Sequence, residues 1–306
     1  MPNTAIVFPG QGSQYVGMGS DWYEADAQAR DLFDEANEIL GFDLKKICFE
    51  GPEGELRQTK NTQPAIFAHS IIVAKAVNNR DAQAMAGHSL GEYTAFVAAG
   101  AITFEDGLRV VRLRGELMQQ AGEQRKGTMA AIVGLSAADL EGICQEASAA
   151  GIVQPANYNS PGQIVVSGEV NGVRKAMEIA KQRGAKLAKE LVVSGAFHSP
   201  LMESAKDGLK EALERISIRD AEIPVYANVT AEPATDASAI RTLLYRQLTS
   251  PVRWEQTIAN MVRDGVHSFC ELGPGNVLQG LVKRTRSDVQ ISGIDKFSGM
   301  KEAARP

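Results

Sequence analysis

Ala82-Gln83-Ala84-Met85-Ala86-Gly87-His88-Ser89-Leu90-Gly91-Glu92 runs from small apolar residues into a turn flanked by glycines, and a helical pattern follows over residues 93–99. Small apolar residues ending at glycine predict a buried strand over residues 82–86. The glycines let the chain bend sharply with no Cβ in the way. Gly87 to Gly91 fits G-x-S-x-G, in which a serine hydroxyl projects from a strand-to-helix bend while amides of the helix's first turn face the same space. The pentapeptide also fits a serine capping a helix. Strand, turn and helix in succession favour Ser89 as a nucleophile.

The same βα rhythm extends outward. Thr4-Ala5-Ile6-Val7-Phe8 reads as a buried strand that breaks at Pro9-Gly10 and feeds Gly10-Gln11-Gly12-Ser13-Gln14. That loop does not match a phosphate cradle, because Met18 follows where a P-loop needs lysine. Residues 223–228 and 266–272 read as later strands of the same layer. Between them, strands over 127–135, 151–157, 163–167 and 185–193 alternate with helices over 137–149 and 170–183. This βαββαβ order is that of a ferredoxin-like unit. The expected fold is therefore α/β: a large α/β-hydrolase-like domain with a parallel sheet, formed by residues 1–126 and 197–306, and a small ferredoxin-like subdomain inserted over residues 127–196. Hinges are expected near 122–126 and 194–197, with the active site in the cleft between the bodies.

With 306 residues, 44% hydrophobic and 23% charged, the chain can bury a sizeable core. Its net charge of −5 carries no long run of one sign, which argues against nucleic acid or an anionic membrane as partner. Neither an amino-terminal signal core nor a membrane-length apolar stretch is visible, so a cytoplasmic protein is expected. Nothing in the sequence demands more than a monomer. Cys48, Cys144 and Cys270 have neither the paired count of a disulfide framework nor the close spacing of a zinc site, and no metal is expected.

A nucleophilic serine needs a base, and four histidines are available. His69 falls in a helical pattern over residues 64–77, His267 in a strand, and His88 beside Ser89, where an elbow points neighbouring side chains apart. His198, in Ser194-Gly195-Ala196-Phe197-His198-Ser199-Pro200, lies where the inserted unit returns to the main body. It reads as the base or as a hinge residue. No acidic residue stands out as a third member, so a carbonyl could orient the imidazole. A helix over residues 104–119 sets Arg114 between Val110 and Met118, inside an apolar arc. A guanidinium there needs a partner anion: an internal carboxylate, or the free carboxylate of a substrate acid.

Several motifs in order resemble the malonyl-CoA:acyl carrier protein transacylase family, and the chain is similar to the acyltransferase domains of polyketide synthases. They are Phe8-Pro9-Gly10-Gln11-Gly12-Ser13-Gln14, Thr62-Gln63-Pro64-Ala65, Gly87-His88-Ser89-Leu90-Gly91-Glu92, Arg112-Leu113-Arg114-Gly115, Asn157-Tyr158-Asn159-Ser160-Pro161-Gly162-Gln163, Gly195-Ala196-Phe197-His198-Ser199 and Glu271-Leu272-Gly273-Pro274-Gly275. The resemblance implies Ser89 as nucleophile, His198 as general base and acid, and Arg114 as the clamp on a malonyl carboxylate. It further implies that the amides of Gln11 and Leu90 form the oxyanion hole, that the Gln247 carbonyl orients His198, and that Gln63 and Met118 line the pocket. Phe197 would leave little room for the α-methyl group of methylmalonyl. The implied substrates are malonyl-CoA and acyl carrier protein, in a ping-pong reaction without a cofactor, for fatty acid or polyketide synthesis. An acidic carrier would dock on basic residues such as Lys186, Lys189, Lys283 and Arg284, although such residues are more often plain solvated surface. Rival readings are a serine hydrolase and a non-catalytic scaffold for the carrier.

Overall fold

The computed structural model describes residues 3–78 and 82–303, with side chains through Met300. Residues 1–2, 79–81 and 304–306 of the expected large body lie outside the described residues. Among the described residues ten strands form two sheets: β1 (Thr4–Phe8), β2 (Ala84–Gly87), β3 (Gly127–Val133), β4 (Val153–Ser160), β5 (Gln163–Glu169), β6 (Leu187–Glu190), β7 (Val225–Tyr226), β8 (Pro233–Ala234), β9 (Ser268–Leu272) and β10 (Gln290–Ile294).

The larger sheet has the order β10-β9-β1-β2-β7-β8 and is parallel apart from the short pairing of β8 with β7. Parallel strands buried on both faces read as continuous apolar runs, and β1 is buried throughout. Successive side chains point to opposite faces. Ala5, Val7, Ala84 and Ala86 pack with Trp254, Ile258 and Leu281 on one side, while Ile6, Phe8 and Met85 join the main core on the other. That core includes the helices Thr59–Val77, Leu90–Ala98 and Phe104–Gln124.

The smaller sheet has the order β4-β5-β3-β6 and is antiparallel, as expected of the ferredoxin-like unit. Helices Ala137–Ala147 and Val170–Gln182 cover one face through Leu140, Ile143, Val173 and Ile179. From its other face Met129 and Val165 join the main core. Edge strand β4 also couples to the large body: the Tyr158 amide donates to the Val252 carbonyl at 2.8 Å, and the Val252 amide to the Ala156 carbonyl at 2.8 Å. Pro155, which cannot donate, is tolerated because β4 is an edge with a bulge beside it.

Some expected boundaries differ. The Arg114 helix continues to Gln124 rather than ending at 119. β4 runs on to Ser160, so the hairpin turns at Pro161-Gly162 and not from Asn159. β6 pairs over four residues, not nine, and the chain beyond it spans back to His198. β7 pairs over two residues because the chain leaves the sheet at Ala227-Asn228 to meet the serine turn. β10 was not expected, since Gln290-Ile291-Ser292-Gly293-Ile294 is an edge strand with little apolar signal.

Candidate active site

β1 and β2 lie side by side with Phe8 opposite Gly87, so the loop after one and the turn after the other leave the same edge of the sheet. Carboxyl ends of adjacent parallel strands are where open α/β sheets build their sites. The close approach depends on missing side chains. A Cβ on Gly91 would stand 2.1 Å from the Phe8 carbonyl oxygen, and one on Gly10 would stand 2.3 Å from the His88 carbonyl oxygen. The Gln11 loop is thereby pressed against the serine turn. Ser13 closes that loop, its hydroxyl donating to the Gly10 carbonyl at 2.8 Å.

Ser89 takes φ 53°, ψ −100°, a strained conformation that places its hydroxyl at the mouth of the bend. Asn228 holds the strain from the neighbouring strand end. Its Oδ1 accepts the Ser89 amide at 2.8 Å and its Nδ2 donates to the Gly87 carbonyl at 2.7 Å. The Leu90 amide opens the helix Leu90–Ala98, where first-turn amides have no carbonyl one turn back to bond.

Ser89 Oγ lies 2.7 Å from His198 Nε2. The other ring nitrogen, Nδ1, faces the carbonyl oxygens of Gln247 at 3.0 Å and Ser250 at 3.1 Å. Two acceptors there require the proton on Nδ1, which leaves Nε2 to accept from the serine. Burial, reinforced by the positive charge of Arg114, lowers the His198 pKa from 6.5 to about 3, so the imidazole is neutral at physiological pH.

Arg114 is 1% exposed and faces the same hydroxyl, its Nη2 donating to Ser89 Oγ at 3.0 Å. Its other partners are amides. Nη1 donates to Gln63 Oε1 at 2.7 Å, and Nη2 donates to Gln247 Oε1 at 2.9 Å. Among the described residues no carboxylate lies in direct ion-pair contact with it, and the buried Glu92 acts on it only by charge at longer range. The nearest partners of Arg114 are dipoles and the ring of Tyr93, 5.2 Å away. Gln63 Nε2 in turn contacts Met118 Sδ at 3.2 Å, and Phe197 is buried beside His198 in the chain.

Every expected site residue except the exposed lysines and Arg284 thus lies on these converging elements. Gln11 is tied to the helix Thr59–Val77, its Nε2 donating to Thr59 Oγ1 at 3.4 Å. Lys186 and Lys189 lie on the small body and Lys283 and Arg284 on the helix Val277–Thr285, all exposed. The other histidines are accounted for differently. His88 Nε2 meets Asn159 Oδ1 at 2.8 Å, His69 is buried 3.8 Å from Asp295, and His267 is exposed just before β9.

Asn228, Ser250 and Glu92 were not foreseen. Glu92, one turn beyond Ser89 and fully buried, accepts at one oxygen from the Asn228 amide at 2.9 Å and Gln247 Nε2 at 2.9 Å. Burial raises its carboxyl pKa to about 7 against the pull of these donors and of Arg114. A lone charge in Leu90-Gly91-Glu92-Tyr93-Thr94-Ala95-Phe96 was the available signal. It reads equally well as an acid placed to suit a helix N-terminus.

A strained serine bonded to a neutral imidazole, with a buried guanidinium on the same oxygen, fits the site of an acyltransferase, and that is the class of this α/β protein. The family model described as acyl transferase domain matches residues 5–302. A malonyl CoA-acyl carrier protein transacylase of Bacillus subtilis is 47% identical over 93% of this chain and 90% of its own. An acyl carrier protein S-malonyltransferase of Vibrio cholerae superposes with a TM-score of 0.94 at 40% identity, over 98% of this chain and 99% of that one. A malonyl-transacylase solved in complex with a type II PKS acyl-carrier protein superposes at 0.95 with 41% identity, over 98% of each chain. The chain belongs to the malonyl CoA-acyl carrier protein transacylase family.

Proposed function

We propose that this enzyme moves the malonyl group of malonyl-CoA onto the phosphopantetheine thiol of acyl carrier protein through a malonyl-serine intermediate, supplying extender units for fatty acid synthesis. The observation that carries the reading is the shared hydroxyl: Ser89 Oγ lies 2.7 Å from His198 Nε2 and 3.0 Å from Arg114 Nη2. A thioester carbon brought to Oγ sets the acyl chain beside a cation whose nearest partners are neutral. An acyl group ending in a carboxylate fits that arrangement.

In the first half-reaction Ser89 Oγ bonds to the thioester carbon as its proton passes to His198 Nε2. The tetrahedral oxyanion lies against the amides of Gln11 and Leu90. Collapse breaks the carbon–sulfur bond, and the CoA sulfur leaves with the proton from Nε2. The second half runs in reverse order: the carrier thiol gives its proton to His198, its sulfur attacks the ester carbon, and Ser89 regains the proton. The carbonyls of Gln247 and Ser250 hold the imidazolium formed between these steps. Phe197 narrows the pocket against methylmalonyl, with Gln63 and Met118 lining it. Neither half-reaction requires a cofactor, since a thioester and an oxygen ester are close in energy.

We assign residues 127–196 to an inserted subdomain and the rest to the large body, and we place the enzyme in the cytoplasm as a monomer acting on a carrier protein and not on nucleic acid or membrane. No helix among the described residues is long and apolar enough to cross a membrane. Intact-mass spectrometry after mixing with malonyl-CoA tests the proposal. The wild type should gain one malonyl group and pass it to the carrier, and Ser89→Ala should gain none. A persistent adduct on Ser89→Ala, or release of free malonate in place of transfer, refutes it.

A further inference from the structure

We infer that Glu92 is a positioning residue for the selection of a carboxylate-bearing acyl group: it fixes which way the Gln247 carboxamide faces, and thereby how Arg114 is presented. The inference rests on the reading of Arg114 as the holder of the malonyl carboxylate.

Gln247 touches every reacting group. Its backbone carbonyl accepts from His198 Nδ1, its Oε1 accepts from Arg114 Nη2, and its Nε2 donates to the Ser89 carbonyl at 2.8 Å. A carboxamide can sit in two orientations related by a flip, and its partners choose between them. Here Nε2 faces acceptors, with Glu92 Oε2 at 2.9 Å and Asn228 Oδ1 at 3.4 Å beside the Ser89 carbonyl. Flipping would turn the amide oxygen onto the Glu92 carboxylate and the NH2 onto a buried guanidinium. In its ionised form, which the two donors and Arg114 favour, Glu92 is the strongest of the three acceptors, because a hydrogen bond to an ionised group is roughly twice as strong as one between neutral groups.

The placement of Glu92 also suits the charge of Arg114. It acts on the guanidinium from behind one amide, near enough to influence it, yet is not its hydrogen-bond partner. A carboxylate in direct contact would neutralise the arginine and compete with the substrate. One step removed, it orients the dipole that orients the cation. The second oxygen, Oε1, is buried without a hydrogen-bond partner, so the contacts of Glu92 converge on Oε2 and hence on Gln247 and Asn228.

A role confined to bracing the Ser89 turn through Asn228 would slow every acyl group alike. Orienting Arg114 adds an effect on an acyl group with a carboxylate beyond any that all acyl groups share through the Ser89 hydroxyl. The test measures acylation of Ser89 by malonyl-CoA and by acetyl-CoA in Glu92→Leu and Glu92→Gln, with melting midpoints to verify folding. In Glu92→Leu the malonyl-to-acetyl ratio of kcat/KM should fall about tenfold or more, the size of a lost charge-assisted hydrogen bond. In Glu92→Gln the amide oxygen can accept both bonds of Oε2, and the ratio should stay within about threefold of wild type. Equal losses for both acyl groups in folded Glu92→Leu overturn the inference, and so does a Gln variant as unselective as the Leu one. If Glu92→Leu does not fold, Glu92→Asp, whose carboxylate is drawn back from Gln247 by one methylene, replaces it: a lowered ratio supports the inference and an unchanged ratio overturns it. A wild type that is not acylated by malonyl-CoA refutes the functional reading itself, which separates that failure from this one.

Discussion

Replacing Gln63 by glutamate changes a single atom type next to Arg114 and is the sharpest probe of how the site tells malonyl from acetyl. The Gln63 oxygen already lies 2.7 Å from Arg114 Nη1, so a glutamate needs no rearrangement to form an ion pair there. With the two charge centres about 4 Å apart and an effective dielectric constant of about 20, the new attraction is about 4 kcal/mol. A substrate carboxylate must then share the guanidinium with a resident one. If it forfeits half of that attraction, about 2 kcal/mol, malonyl loading slows about 30-fold. Acetyl loading has no carboxylate to lose. The weak contact of Gln63 Nε2 with Met118 Sδ is also lost, but to both substrates equally. Rapid-quench acylation with the two thioesters gives the ratio directly, and a melting midpoint near wild type shows that the fold persists. A folded Gln63→Glu enzyme whose malonyl-to-acetyl ratio stays within about threefold of wild type would refute the idea that Arg114 reads the carboxylate through its unspent charge.

Other expectations follow from the same geometry. His198→Ala should slow Ser89 acylation by about 10² to 10⁴-fold, the usual contribution of a positioned base, and a smaller loss would point to another base. The folded imidazole resists protonation down to about 3 while a free one titrates at 6.5, so the unfolded chain binds more protons between those values. Stability from this group is therefore complete above 6.5 and falls as pH drops toward 3. Urea denaturation across that window should show the wild type losing stability relative to His198→Phe, and parallel curves would contradict the depressed pKa. Gly91→Ala drives a Cβ to 2.1 Å from the Phe8 carbonyl oxygen and should cost more than about 3 kcal/mol in stability, which an unaltered urea midpoint would disprove. Charge reversal at Lys283 and Arg284 should raise KM for the carrier protein and leave KM for malonyl-CoA alone, and equal changes in both would count against docking there.

The main lines of the fold were legible because they rest on local chemistry. β1 is a run of apolar residues ended by Pro9-Gly10, and the observed strand coincides with the expected one. The βαββαβ order of the small body follows from periodicity alone. What stayed hidden depended on distant partners. β10 is a strand because β9 offers its edge, and its own residues alternate too weakly to announce it. The meeting of Ser89, His198 and Arg114 could be anticipated, since each residue type is costly or reactive where it sits. Asn228 and Glu92 were not found, because a buried polar group is explained only by what it bonds, and their partners lie 139 and 155 residues away in the chain. Gln247 was anticipated for its carbonyl alone. Its side chain, which bonds Arg114, Ser89 and Glu92, has no counterpart in any local pattern.

Both members of the proposed reacting pair stand on left-handed backbone, Ser89 at φ 53° and His198 at φ 56°, where residues with a Cβ are disfavoured. Such conformations cost of order 1–3 kcal/mol each and persist only because the surroundings enforce them. Glycine would relieve the strain at either position. Ser89→Gly should therefore melt at a higher temperature than the wild type while carrying out no transfer at all. On the proposed roles of Ser89 and His198, selection for stability alone would erase this centre, and the strain is the thermodynamic cost of holding the hydroxyl and the imidazole together.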